Sequence, residues 1–169
     1  MNIYYTKTLL YAYPHIEAVM EQIDDLVLRK ALSSMSDFSP CEEQCEKIIS
    51  LTNQKVVLME LKEKLNKLMS KINDYENDCL EYKYFKQKAK EYFIGFDAVS
   101  RKYFRRQIAL VKKLCRYMDK VGISDEYFRE KCLPISFFSE LYIRVLQKEK
   151  QKKKSVKNNT VVENLRQIA

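Results

Sequence analysis

The chain has 169 residues, 46% of them hydrophobic and 32% charged, and a formal net charge of +8. That apolar fraction supports one ordinary domain and excludes wholesale disorder. Only two glycines and three prolines occur, which excludes a glycine-rich phosphate loop and leaves few hairpin turns, so an all-α fold with short connections is expected.

The charge is unevenly placed. Met1–Cys79 carries 9 Lys/Arg against 13 Asp/Glu, Leu80–Lys120 carries 12 against 4, and Val121–Ala169 carries 10 against 6. Excess positive charge therefore sits mid-chain, which points to a polyanion partner. The five cysteines are odd in number and scattered, against a disulfide framework. No apolar leader and no membrane-length apolar stretch appear, so a cytoplasmic protein without a membrane partner is expected.

In chain order, the first helix is expected to start at Pro14, a residue suited to a first helical turn. Ile16, Val19, Met20, Ile23, Leu26 and Val27 follow at helical spacing. Ser33–Asp37 reads as a break. Ser39-Pro40-Cys41-Glu42 carries a capping signature, and a helix is expected from Pro40 to Lys71. Its Leu51, Leu58, Leu65 and Ile72 recur seven apart, with Leu61 and Leu68 between them. This seam suits an antiparallel hairpin with the first helix. Because the second helix outruns the first, its Leu61–Ile72 end needs cover from the C-terminal part or from a second chain.

Asn73-Asp74-Tyr75-Glu76 is a second capping box and starts a short helix through Phe85. A weaker pattern occupies Lys86–Val99. Ser100 opens a basic helix to Lys120, closed by Gly122. Ser124-Asp125-Glu126 caps a short helix to Lys131, and Pro134 breaks the chain. Ser136 starts a last helix with Phe138, Leu141, Tyr142, Val145 and Leu146 inward. The expected organisation is a helical hairpin over 1–72 as oligomerisation or partner arm, a helix-turn-helix-like domain over 73–120, C-terminal helices over 121–147, and a flexible basic tail over 148–169.

The basic helix carries the functional expectation. A helical wheel places Phe104, Ile108, Val111 and Cys115 on a docking face, with Leu110 and Leu114 beside it. Arg101, Lys102, Arg105, Arg106 and Lys112 then fall on the opposite side. Arginine in the first turns can grip guanine, while lysines and Ser100 suit phosphate oxygens. Lys83, Lys86, Lys88 and Lys90 widen the positive surface. The candidate DNA-binding set is therefore Lys86, Lys88, Lys90, Ser100, Arg101, Lys102, Arg105, Arg106 and Lys112.

The helix ending Leu80-Glu81-Tyr82-Lys83-Tyr84-Phe85, a gap to Ser100, and a Ser-Arg-x-Tyr-Phe-Arg-Arg-Gln helix start together resemble the helix-turn-helix of sigma factor region-four-like proteins. More narrowly they resemble the ArpU/RinA-type regulators of phage late transcription. The resemblance implies Arg101, Lys102, Arg105 and Arg106 on a recognition helix, with Phe93 and Val99 holding the preceding helix and turn. The chain departs from the pattern at Ile94, where a small residue is usual, and at Ala98, where glycine is usual.

Other chemistry is poorly served. Cys41 and Cys45 lie one turn apart, but a structural zinc site needs four ligands, and burial in a helical seam is the expected account of both. His15 is the only histidine and has no evident orienting partner, so no catalytic site, metal site or cofactor is expected. The function expected is a DNA-binding transcription regulator of phage or mobile-element type. Its partners would be duplex DNA and RNA polymerase, and it would form a homo-oligomer through the N-terminal helices. A small terminase-like packaging subunit is the alternative, as is a helical scaffold or adaptor that binds an acidic protein.

Overall fold

The structure is a computed structural model in which residues 1–33, 41–86, 88 and 101–151 are described. Those residues form an all-α fold with no strand among them. The helices are α1 (Ile3–Ala12), α2 (Ile16–Ser33), α3 (Cys41–Met69), α4 (Asp74–Leu80), α5 (Arg101–Lys120), α6 (Asp125–Tyr127) and α7 (136–151). A 3₁₀ turn at Tyr13–His15 joins α1 to α2, while π-helical turns extend α4 over Glu81–Phe85 and α6 over Phe128–Cys132.

The first helix begins eleven residues earlier than the Pro14 start (from residue 14 back to residue 3). Asn2 caps it, its side chain accepting from the Tyr4 amide at 2.8 Å. Thr6 and Thr8 sit buried in α1 and interrupt its apolar pattern. Their hydroxyls donate to the carbonyls four residues back, at 3.2 and 2.9 Å, so no polar group is stranded. Pro14 instead occupies the 3₁₀ corner that redirects the chain into α2.

Helices α2 and α3 form the expected antiparallel hairpin, clamped by Lys55–Asp24 at 2.6 Å and Lys62–Glu17 at 3.2 Å. The Ser39–Pro40 cap lies outside the described residues. Leu58, Leu61, Leu65 and Leu68 are all fully buried. The far end of α3 is thus covered by the chain itself, within one hydrophobic core. That core gathers Leu9 and Leu10 of α1, Leu80 of α4, Leu114 and Met118 of α5, and Phe128 and Phe138 nearer the C-terminus. Among the described residues, the large apolar side chains left exposed on the hairpin are Leu26, Leu28, Leu32, Ile49, Val56 and Met59.

Local signals hold the remaining ends. Asn73 makes both bonds of a capping box, accepting from Glu76 N at 2.8 Å while Glu76 accepts from Asn73 N at 3.3 Å. After α5, Ile123 N donates to Met118 O at 2.9 Å and Gly122 N to Asp119 O at 3.2 Å, with Gly122 at φ 77°. This is a Schellman ending, with Met118 and Ile123 buried as its apolar contact. Ser124 caps α6 through Tyr127 N. In α7, Phe138 and Val145 are buried and Leu141, Tyr142 and Leu146 half-buried. The helix continues through residue 151, and Glu149 within it pairs with Lys7 at 2.9 Å.

Burial of titratable groups sets an alkaline limit. Burial pushes the Cys132 thiol from its ordinary value near 9 up to about 12, against the opposing pull of the Lys64 ammonium. It raises the Tyr84 and Tyr127 hydroxyls as well. Above pH 9 the unfolded chain releases protons that the folded chain keeps, so stability falls as pH rises. Urea midpoints are expected to hold up to pH 9 and to drop progressively towards pH 12. Replacing Cys132 with alanine should flatten that decline; an unchanged slope would remove this thiol from the account.

Candidate nucleic-acid interface

Eight of the 20 residues of α5 are basic and one, Asp119, is acidic. Its buried face is Tyr103, Gln107, Leu110, Val111, Leu114 and Met118. This corrects the expected docking face: Phe104 and Ile108 are 54% and 57% exposed. The physical reason is a polar anchor. Gln107, 1% exposed, donates through Nε2 to the Cys79 carbonyl at 2.6 Å and to Tyr103 Oη at 2.9 Å. Cys79 lies just ahead of the π turn, where Lys86 N bonds back to Glu81 O at 2.8 Å and the bonding pattern widens. Gln107 thus ties α5 to the C-terminal part of α4 through a backbone acceptor. Tyr103 packs edge-on against Tyr82 at 6.0 Å, and burial pushes its hydroxyl up to about 12. The helix is thereby rotated by one residue, about 100°, from the wheel drawn on apolar size alone.

Arg101, Lys102, Arg105, Arg106 and Lys112 are all exposed. The rotation separates them into two groups. Arg101, Arg105 and Lys112, with Arg116 after them, recur at steps of four and seven residues and form one line along the outer face. None of the four has a carboxylate partner within 4.0 Å among the described residues. Phe104 and Ile108 border this line, and Lys102 lies on its other side. From Arg101 to Arg116 the line spans roughly 22 Å of helix.

Arg106 turns elsewhere. Its guanidinium lies 4.9 Å from the centre of the Tyr75 ring, over a groove of about 440 Å³ between α4 and α5. Lys113 and Arg116 also line that groove. Lys113 is held by Glu76, at 2.7 and 2.8 Å to the two oxygens, a bond that raises its pKa. Neither Arg116 nor Tyr75 belongs to the sequence-derived set. The Arg105–Lys112–Arg116 spacing is the signal that points to the first.

The flank before α5 is only partly available. Lys86 is exposed and left-handed, at φ 54°, where it ends the π turn. Lys88 is tied down: its ammonium pairs with Asp78 at 3.0 Å and its amide donates to Glu81 at 2.8 Å. Its charge is therefore matched within the protein. Lys90, Phe93, Ile94, Ala98, Val99 and Ser100 lie outside the described residues.

No family model, curated protein or solved structure matches the chain. The chemistry of the exposed groups must carry the assignment. Cys41 and Cys45 are exposed, which corrects their expected burial in the hairpin seam. They lie on the first turns of α3. Among the described residues no three His, Cys, Asp or Glu side chains gather as a metal site. No described helix is long and apolar enough to cross a membrane.

Proposed function

We propose that the chain is a DNA-binding transcription regulator that lays α5 in the major groove, built like the ArpU/RinA-type regulators it resembles and acting in the cytoplasm. The observation that carries this reading is the line Arg101–Arg105–Lys112–Arg116, exposed and without carboxylate partners among the described residues. Surface cations of purely structural use tend to be interleaved with acids, as they are on α3. Here the charges stand in one row on a rigid helix whose back is fully docked. Arg101 and Arg105, in the first turns, suit base edges, while Lys112 and Arg116 suit phosphates further along. The apolar residues left exposed on the α2–α3 hairpin support its use for self-association or polymerase contact.

Titrating a mixed-sequence duplex at several salt concentrations tests the reading. Log affinity is expected to fall linearly with log salt, with a slope of about −3 or steeper for three to four neutralised phosphates. A chain that ignores DNA at low salt yet captures an acidic protein is an adaptor instead. A small terminase-like packaging subunit is the second reading, supported by the exposed row Ile49, Val56 and Met59 on α3. Ring-sized oligomers in sedimentation velocity favour packaging, and dimers favour the regulator.

A further inference from the structure

The groove between α4 and α5 shares Arg116 with the end of the outer cationic line but differs from that line in chemistry. Its floor is apolar, from Ala109, Leu110 and Cys79, and its walls are Tyr75, Arg106 and Arg116. The one carboxylate among its described lining residues, Glu76, is already matched: Lys113 reaches both of its oxygens and the Asn73 amide reaches one. Two guanidinium groups therefore remain over an apolar floor without carboxylate partners among the described residues. An anion fits that balance, and a cation or a neutral apolar ligand does not.

Size and shape narrow the anion. About 440 Å³ falls within the range of small-molecule and cofactor sites, so the groove takes an organic body as well as a charged group. Tyr75 lines the groove and is 43% exposed. Arg106 already rests on that ring at 4.9 Å, so its guanidinium is ordered before any ligand arrives. An exposed aromatic ring beside two arginines suits a planar base joined to a phosphate. We propose that the α4–α5 groove binds a free nucleotide, with Arg106 and Arg116 on the phosphate and Tyr75 against the base. The site stands on its own geometry and does not rest on the DNA reading.

Amide chemical-shift mapping with AMP, adenosine and inorganic phosphate tests the proposal on the full chain. AMP is expected to move α4 and α5 amides in a saturable way, and to bind at least tenfold more tightly than adenosine or phosphate alone. Arg106→Gln and Arg116→Gln should each weaken AMP by about tenfold, the size of one charge-assisted hydrogen bond. Tyr75→Leu should weaken AMP and leave inorganic phosphate unchanged. The Arg101/Arg105/Lys112 variant, which lies off the groove, should bind AMP like the wild type, so a failure of DNA binding and a failure of this site are separable. Because Arg116 also ends the outer line, the DNA reading is separated on that variant: AMP binding retained after DNA affinity is lost supports a free nucleotide, and loss of both together overturns the assignment. Adenosine or phosphate binding as well as AMP, arginine variants binding like the wild type, or no shifts at all would each overturn it too.

Discussion

Replacing Arg101, Arg105 and Lys112 together with glutamine is expected to lower duplex DNA affinity about 100-fold at ~0.15 M salt through lost counterion release alone. Each neutralised phosphate contributes about 0.9 to the slope of log affinity against log salt, so the slope should shrink by roughly 2.7. Any arginine that also grips a base edge adds about 1–3 kcal/mol of lost discrimination. The fold should be untouched, because all three side chains are exposed and none has a carboxylate partner within 4.0 Å among the described residues. An unchanged circular dichroism spectrum and urea midpoint would certify that. Arg106→Gln serves as the contrast. Its guanidinium lies over Tyr75 in the α4–α5 groove, so a small effect on DNA is expected. Affinity and salt slope that survive the triple replacement would remove α5 from the interface.

The two halves of the molecule differ in how openly the sequence declares them. Leu58, Leu61, Leu65 and Leu68 are apolar, periodic and buried, so heptad spacing alone finds the face of α3. Capping at Asn73 and Ser124 and the glycine ending at Gly122 are likewise local, decided by residues within one turn of each other. The orientation of α5 is not local. It follows from Gln107 meeting the Cys79 carbonyl, 28 residues away, on another helix. A wheel weighted by apolar size favours Phe104 and Ile108 over a tyrosine and a glutamine, and so turns the helix by one residue. The basic residues survive that error because they cover a wide arc, yet their division into an outer line and a groove does not. α1 is hidden for a related reason: Thr6 and Thr8 are buried by satisfying their hydroxyls on their own helix, which hydrophobic periodicity cannot register.

Phe128→Ala is expected to cost about 3–5 kcal/mol, the usual range for removing a fully buried phenylalanine. The ring has no exposed surface. It stacks on Tyr5 of α1 at 4.5 Å and meets Phe138 and Tyr142 of α7 at 6.3 and 6.2 Å. It therefore joins α1 to α7 from a π turn that is itself a break in regular helix. Against a typical total stability of about 5–15 kcal/mol, the loss is a large fraction. A urea titration should show a lower midpoint with an unchanged slope if unfolding stays two-state. Phe128→Leu should recover most of the difference, since it refills much of the cavity. The functional consequence follows from the packing of α1 on α5, where Thr6 Oγ1 lies 3.1 Å from Cys115 Sγ. Loosening α1 removes a support of the helix that presents the cationic line. On warming, the Phe128→Ala protein should lose helicity and DNA affinity together, whereas the Arg101/Arg105/Lys112 variant loses affinity with its melting temperature intact. A Phe128→Ala unfolding free energy within about 1 kcal/mol of the wild type would mean that this aromatic cluster does not hold α1 to α7.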